Sequence, residues 1–242
     1  MRIKGLDFLR GIAILLVLFR HNPLGDNIFY HFGWLGVDLF FVLSGFLVSG
    51  LLFTEFKKRG EVRIKRFLIR RGFKIYPPFY FFLVVSIAIH WYQTHSFHSL
   101  NLLLSELFYV QSYFPGIWIH TWSLAVEEHF YILLSVLVFL AVKFKNLSKT
   151  VRVITFLAAL IVLSFAMRTW ISWPHRNDAS FGFVQSHLRA DGIIIGVLIS
   201  YLYHFTQFSS HFWKNKYLYL ALGMALIVPG FVSKGGSFFM NT

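Results

Sequence analysis

The 242-residue sequence contains no cysteine, which excludes disulfides, thiolate metal sites and a cysteine nucleophile. It holds only 10 acidic residues, and all charged residues together make up 14% of the chain, against about 25% in an average soluble domain. A water-soluble fold of this size would need more charge than that on its surface. No internal repeat or low-complexity tract interrupts the chain. A small-x-small cleavage site is also missing after the N-terminal MRIK and the apolar stretch that follows it, where Arg20-His21-Asn22-Pro23 stands instead. This favours a retained membrane helix over a cleaved secretion signal.

What the sequence has in abundance is apolar surface: 57% hydrophobic residues and 20% aromatics. These residues fall in blocks close to 20 long, the length that spans a bilayer as a helix. The blocks predict an all-α, polytopic transmembrane helix bundle of about seven spans, at 6–21, 33–55, 76–93, 121–142, 151–170, 188–205 and 217–233, forming one domain over residues 1–242. Residues 101–114 are too short and too polar to span, and suit a helix that lies at the interface or folds back into the protein.

The net charge of +13 could point to nucleic acid, but its placement argues against that partner. Residues 57–74 carry nine Lys or Arg against the single Glu61, whereas 21–56 and 75–142 carry none. By the positive-inside rule the 57–74 connection is cytoplasmic, and so are the N-terminus and the loops at 143–152 and 214–216. Arg168, Arg176 and Arg189 depart from the pattern.

Several polar residues sit where an apolar helix should not have them. Arg10 and His21 are eleven residues apart, about three helical turns, so they return to nearly the same face about 16 Å along the axis. Asp7, three residues before Arg10, is within reach of it. An arginine inside a membrane helix usually faces the bundle interior and marks a substrate path; equally, Arg10 could snorkel to the cytoplasmic interface while His21 sits in the outer headgroup layer. Asp38 is either a helix-terminal charge or a group that orients a partner on the first helix. Gly45-x-x-x-Ser49 would let two helices approach closely. Glu127 and Glu128 begin the fourth span, with Ser123 and Tyr131 on the face of Glu127. Bare position allows a proton relay or a cation site equally well. Arg70, Arg71 and Lys74 lead into the third span, where they either bind lipid headgroups as an anchor or hold a phosphate, and Pro77-Pro78 would fix how the chain enters the membrane. Arg189 and Asp191 suggest a local ion pair.

Taken in order, four motifs resemble the acyltransferase family 3 of integral membrane acyltransferases. They are Arg10-x10-His21, Gly36-Val37-Asp38-Leu39-Phe40-Phe41-Val42-Leu43-Ser44-Gly45-Phe46, Arg70-Arg71-x-x-Lys74-Ile75-x-Pro77, and Trp122-Ser123-Leu124-Ala125-Val126-Glu127-Glu128. The resemblance runs from about residue 5 to the end of the chain. That family O-acetylates bacterial surface polysaccharides, O-antigens and nodulation factors. The resemblance implies transfer of an acyl group, usually acetyl, from cytoplasmic acetyl-CoA to a hydroxyl of a carbohydrate or lipid-linked glycan acceptor.

The family's basic R-x-x-R maps onto Arg71 and Lys74, where lysine keeps the charge but gives up the forked contact. His129 stands where the family usually has glutamine. An acceptor hydroxyl needs a base, and imidazole, with an unperturbed pKa of about 6.5, suits neutral pH. The expected roles are His21 as base with Arg10 on its stripe, and Asp38, Glu127 or Glu128 orienting it or the acceptor. Arg70, Arg71 and Lys74 are expected on the CoA phosphates, with Trp122 and Ser123 also on the substrate-binding side. Acetyl-CoA is a co-substrate and no metal is expected. The expected surroundings are membrane lipids of the bacterial inner membrane, with the N-terminus in the cytoplasm. The chain is short for the family, as a compact or C-terminally truncated member would be. A transporter or flippase would line a path with the same residue types, and an inactive homologue would keep the motifs without turnover.

Overall fold

A computed structural model describes residues 4–21, 33, 35–172, 184–207 and 214–215. Among these, every regular element is helical: α1 (Lys4–His21), α2 (Leu35–Arg59), α3 (Ile64–Thr94), α4 (Leu100–Leu107), a 3₁₀ turn (Ile119–Thr121), α5 (Trp122–Lys143), α6 (Thr150–Ser172) and α7 (Ala190–Phe205). Helices satisfy their own backbone hydrogen bonds, which is what an apolar surrounding demands. Outward-facing Phe81, Phe139 and Trp170 leave apolar surface on α3, α5 and α6.

Among the described residues four helices, α2, α3, α5 and α6, are long and apolar enough to cross a membrane. α1 has 18 residues and is interrupted by Asp7, Arg10 and Arg20, and α7 has 16 residues. Among the described residues, four of the expected spans are thus full length, and α1 and α7 are shorter helices at two further expected positions. The expected span at 217–233 lies outside the described residues.

The third expected span starts twelve residues earlier than the apolar block does, because the basic segment before it is itself helical. Lysine and arginine are good helix formers. Gly60, at φ +72, closes α2 by donating its N–H to the Phe56 carbonyl at 2.7 Å, and α3 begins four residues later. Pro77 and Pro78 therefore lie inside α3. At 31 residues α3 is about 46 Å long, against a hydrocarbon core of about 30 Å, so its first turns have length to spare for a polar environment.

The chain divides into two compact units, residues 1–53 with 148–183 and 188–242, and residues 54–147 with 184–187. In the first, α1 packs through Ala13, Leu16 and Val17 on the start of α2, where a Cβ at Gly36 would fall 2.5 Å from the Ala13 carbonyl oxygen. Arg10 is half-buried at the edge of this inward face, while Phe8, Leu15 and Leu18 point outward. α2 and α7 meet reciprocally: a side chain at Gly45 would strike the Ile193 backbone, and one at Gly196 would strike that of Val42. Ser49, fully buried, donates back to the Gly45 carbonyl at 2.6 Å, so the Gly45-x-x-x-Ser49 stripe is a packing surface as expected.

In the second unit α3 and α5 run antiparallel, with Phe82 beside Trp118 and His120, Tyr76 beside Glu128 and Arg71 beside Tyr131. Phe79, Tyr109 and Ala125 form its core, with Ile75, Tyr76, Tyr80 and Leu124 packed around them. α4 is short and buries Ser105 and Glu106, while Leu104, Leu107 and Phe108 stay exposed.

Candidate active site

The α3–α5 pair carries a polar seam between two otherwise apolar helices. Glu127 and Glu128 are adjacent, about 100° apart on α5, yet both reach α3. The Arg71 guanidinium donates to the Tyr131 hydroxyl and lies 4.1 Å from the centre of its ring. Tyr131 in turn donates to Glu127 Oε2 at 2.6 Å, which places the Arg71 cation 4.0 Å from that carboxylate. One turn further along α3, Tyr76 donates to Glu128 Oε1 at 2.5 Å. Both glutamates are buried, at 5% and 6% exposure, so each ionised carboxylate needs its donors. Glu128 Oε2 and Arg71 Nε are buried with no hydrogen-bond partner among the described residues. The seam therefore has a carboxylate oxygen and a guanidinium N–H to offer a polar group of a substrate.

A third carboxylate, Glu106 on α4, is fully buried. It accepts from Thr121 Oγ1 at 2.8 Å and from the Trp118 backbone N–H at 3.3 Å, and so ties the chain before α5 to α4. Gln111 adds a bond to the Thr121 carbonyl at 3.2 Å. Together these fix where α5 starts, and with it Trp122 and Ser123, both half-buried. Burial holds the nearby Tyr109 phenol above its ordinary range, so it stays a neutral wall of the core.

The basic residues before the third span separate into two kinds. Arg71 turns inward to the seam, whereas Arg70 and Lys74, four residues apart on one face of α3, are exposed. In the other unit Asp38, in the first turn of α2, is paired with Arg189 at 3.0 Å. Asp191 pairs with Arg168 of α6 at 2.8 Å, so the expected local pair of Arg189 with Asp191 is replaced by two bridges between helices. The His21 side chain lies outside the described residues. Among the described residues no group of three or more His, Asp or Glu side chains comes together in a way that could hold a metal ion.

Tyr76 and Glu106 carried no signal in the motif reading. Glu106 is a single carboxylate in an apolar stretch, which could have marked it; Tyr76 is one aromatic among many.

A family model described as an acyltransferase domain matches residues 3–241. The chain belongs to acyltransferase family 3. Among its relatives is the peptidoglycan O-acetyltransferase OatA of Listeria monocytogenes, 28% identical over 224 residues, which cover 86% of this chain and 35% of OatA. A Bacillus subtilis protein provisionally named peptidoglycan O-acetyltransferase YrhL is 28% identical over 232 residues, 88% of this chain and 35% of the relative. A Staphylococcus aureus protein provisionally named O-acetyltransferase SACOL0978 is 28% identical over 220 residues, 83% of this chain and 35% of the relative. The chain thus spans about a third of the length of these relatives, 35% of each. No solved structure matches it.

Proposed function

We propose that this chain is a membrane-bound O-acetyltransferase that moves an acetyl group from acetyl-CoA to a hydroxyl of a cell-surface carbohydrate, with peptidoglycan or a lipid-linked glycan as the acceptor class. The observation that carries the reading is the family match over nearly the whole chain. The seam supports it: an apolar helix pair that buries two glutamates against an arginine and two tyrosines has a polar purpose beyond packing. His21 serves as the base for the acceptor hydroxyl, Arg10 lies on its stripe of α1, and Asp38, Glu127 and Glu128 orient the reacting groups. Arg70, Arg71 and Lys74 meet the CoA phosphates, with Trp122 and Ser123 on the substrate side. The chain forms one domain of about seven membrane helices in the bacterial inner membrane, among membrane lipids, with its N-terminus in the cytoplasm.

The test is purified protein in nanodiscs with labelled acetyl-CoA, followed for thioester loss with and without peptidoglycan fragments. Acceptor-dependent thioester loss is expected. Ion-coupled uptake with no acetyl-CoA turnover would make the chain a transporter instead.

Two further results are expected from this reading. Arg70→Ala and Lys74→Ala, both on the exposed face of α3, should weaken acyl-CoA binding by about ten- to hundred-fold, since a charged hydrogen bond to phosphate is worth about 1.5 to 3 kcal/mol. Unchanged affinity measured by titration would leave these residues as a topological anchor. Single cysteines introduced into the cysteine-free chain should label with an impermeant thiol reagent from outside at position 97 and not at position 61. Labelling of position 61 in intact cells would reverse the orientation.

A further inference from the structure

The acetyl-transfer reading leaves one reactive cluster unused, and it lies wholly within the α3–α5 unit. His129 follows the two glutamates on α5 but turns away from their seam, and its Nδ1 lies 2.7 Å from Ser186 Oγ, 57 residues along the chain. Ser186 Oγ is in turn 3.0 Å from Ser112 Oγ. The Tyr113 ring stacks on His187, with centroids 5.7 Å apart, and faces His129 at 6.0 Å, while its hydroxyl meets His187 Nδ1 at 3.2 Å. Ser112 is buried at 1% exposure, but Ser186 and His129 are half-buried and His187 is exposed, so the serine can be reached from outside the core.

A serine hydroxyl is a weak nucleophile until a base within hydrogen-bond reach takes its proton. With the ring proton on Nε2, His129 Nδ1 accepts the Ser186 hydroxyl and fills that role. Ser112 can donate to the same serine oxygen, which stabilises negative charge as it develops there. The side chains of 112, 113 and 129 hold residues 186 and 187 from two directions, so the serine has a fixed position against the imidazole.

We infer that Ser186, activated by His129, carries the acyl group as a covalent ester between donor and acceptor. This rests on the acetyltransferase reading and adds a step to it. Ser186 Oγ forms a bond to the thioester carbonyl carbon while its proton passes to His129 Nδ1. The carbon–sulfur bond breaks and CoA leaves as the thiolate. In the second half the acceptor oxygen bonds to the same carbon and the Ser186 C–O bond breaks. The proton held by His129 then returns to the serine oxygen. The acceptor's own proton passes to solvent, where it balances the thiolate.

The experiment incubates the full chain in nanodiscs with labelled acetyl-CoA and no acceptor, quenches with acid and maps the label by mass spectrometry. One acetyl group on the peptide containing Ser186 is expected, and it should be discharged when peptidoglycan fragments are added. His129→Gln should slow labelling by about 10²- to 10⁴-fold, the usual contribution of a positioned base. Ser186→Ala should abolish the label. Ser186→Cys, which preserves size, should take it as a thioester that neutral hydroxylamine removes. Thioester turnover at the parent rate in Ser186→Ala, with no label on Ser186 in the parent, would overturn this inference and leave the transferase reading standing. No thioester loss from the parent protein with any acceptor would overturn both.

Discussion

His21→Ala is expected to lower acetyl transfer by about 10²- to 10⁴-fold while leaving membrane insertion and acyl-CoA binding intact. The argument starts from α1. Its inward face, through Ala13, Leu16 and Val17, packs on the start of α2, and Arg10 is half-buried beside it. Position 10 is about 20° round the helix from Val17, so Arg10 lies at the border of the packed face, and helical spacing alone puts position 21 about 20° beyond position 10. An arginine that only snorkelled would have no reason to sit there. Arg10→Ala should therefore also impair transfer. Phe8→Ala, 69% exposed and about 140° from position 21, should not. Single-turnover transfer at matched protein levels separates the three variants. Full activity in His21→Ala would remove the proposed base, and full activity in Arg10→Ala as well would reduce the stripe to two interface residues.

Features that depend on local periodicity were legible in the sequence. The lengths of the apolar blocks located six helices to within a few residues, except at α3, and the polar break at 101–114 marked a segment that does not span. α3 was misjudged because hydropathy reports where a helix can meet lipid, not where it starts: the Lys- and Arg-rich turn from 64 to 75 is as helical as the apolar part. Pro77 and Pro78 are tolerated inside this long helix because its neighbours supply packing.

Contacts between distant segments were not legible. Arg189 and Asp191 are two residues apart, and side chains at that spacing on a helix do not face one another. Each instead finds a partner on another helix, Asp38 and Arg168 respectively. The motif spacing identified Glu127 and Glu128 but not Tyr76, because a tyrosine in an aromatic-rich span carries no local mark of the carboxylate it will meet. Ser186 and His129 are separated by 57 residues and met only in the fold.

The Asp38–Arg189 bridge gives a second large expected effect and bears on the role of Asp38. Arg189→Ala should destabilise the protein by about 3 kcal/mol, the lower end of the 3–5 kcal/mol seen when one partner of a buried pair is removed. The lower end applies because the Asp38 side chain keeps 34% of its surface exposed, although that of Arg189 keeps only 6%. Arg63→Ala, which removes an exposed pair with Glu61 whose side chains are 52% and 60% accessible, should change stability by about 0–1 kcal/mol. Thermal unfolding of the purified variants in one detergent measures both. The double variant Asp38→Leu/Arg189→Met replaces the pair with apolar groups of similar size, which is often close to neutral, so most of the lost stability should return. Transfer by that double variant then decides what Asp38 does. If Asp38 only satisfies Arg189, the stable double variant keeps its activity. If Asp38 orients the base or the acceptor, the double variant is stable and slow, and the carboxylate belongs to the reaction as well as to the bridge.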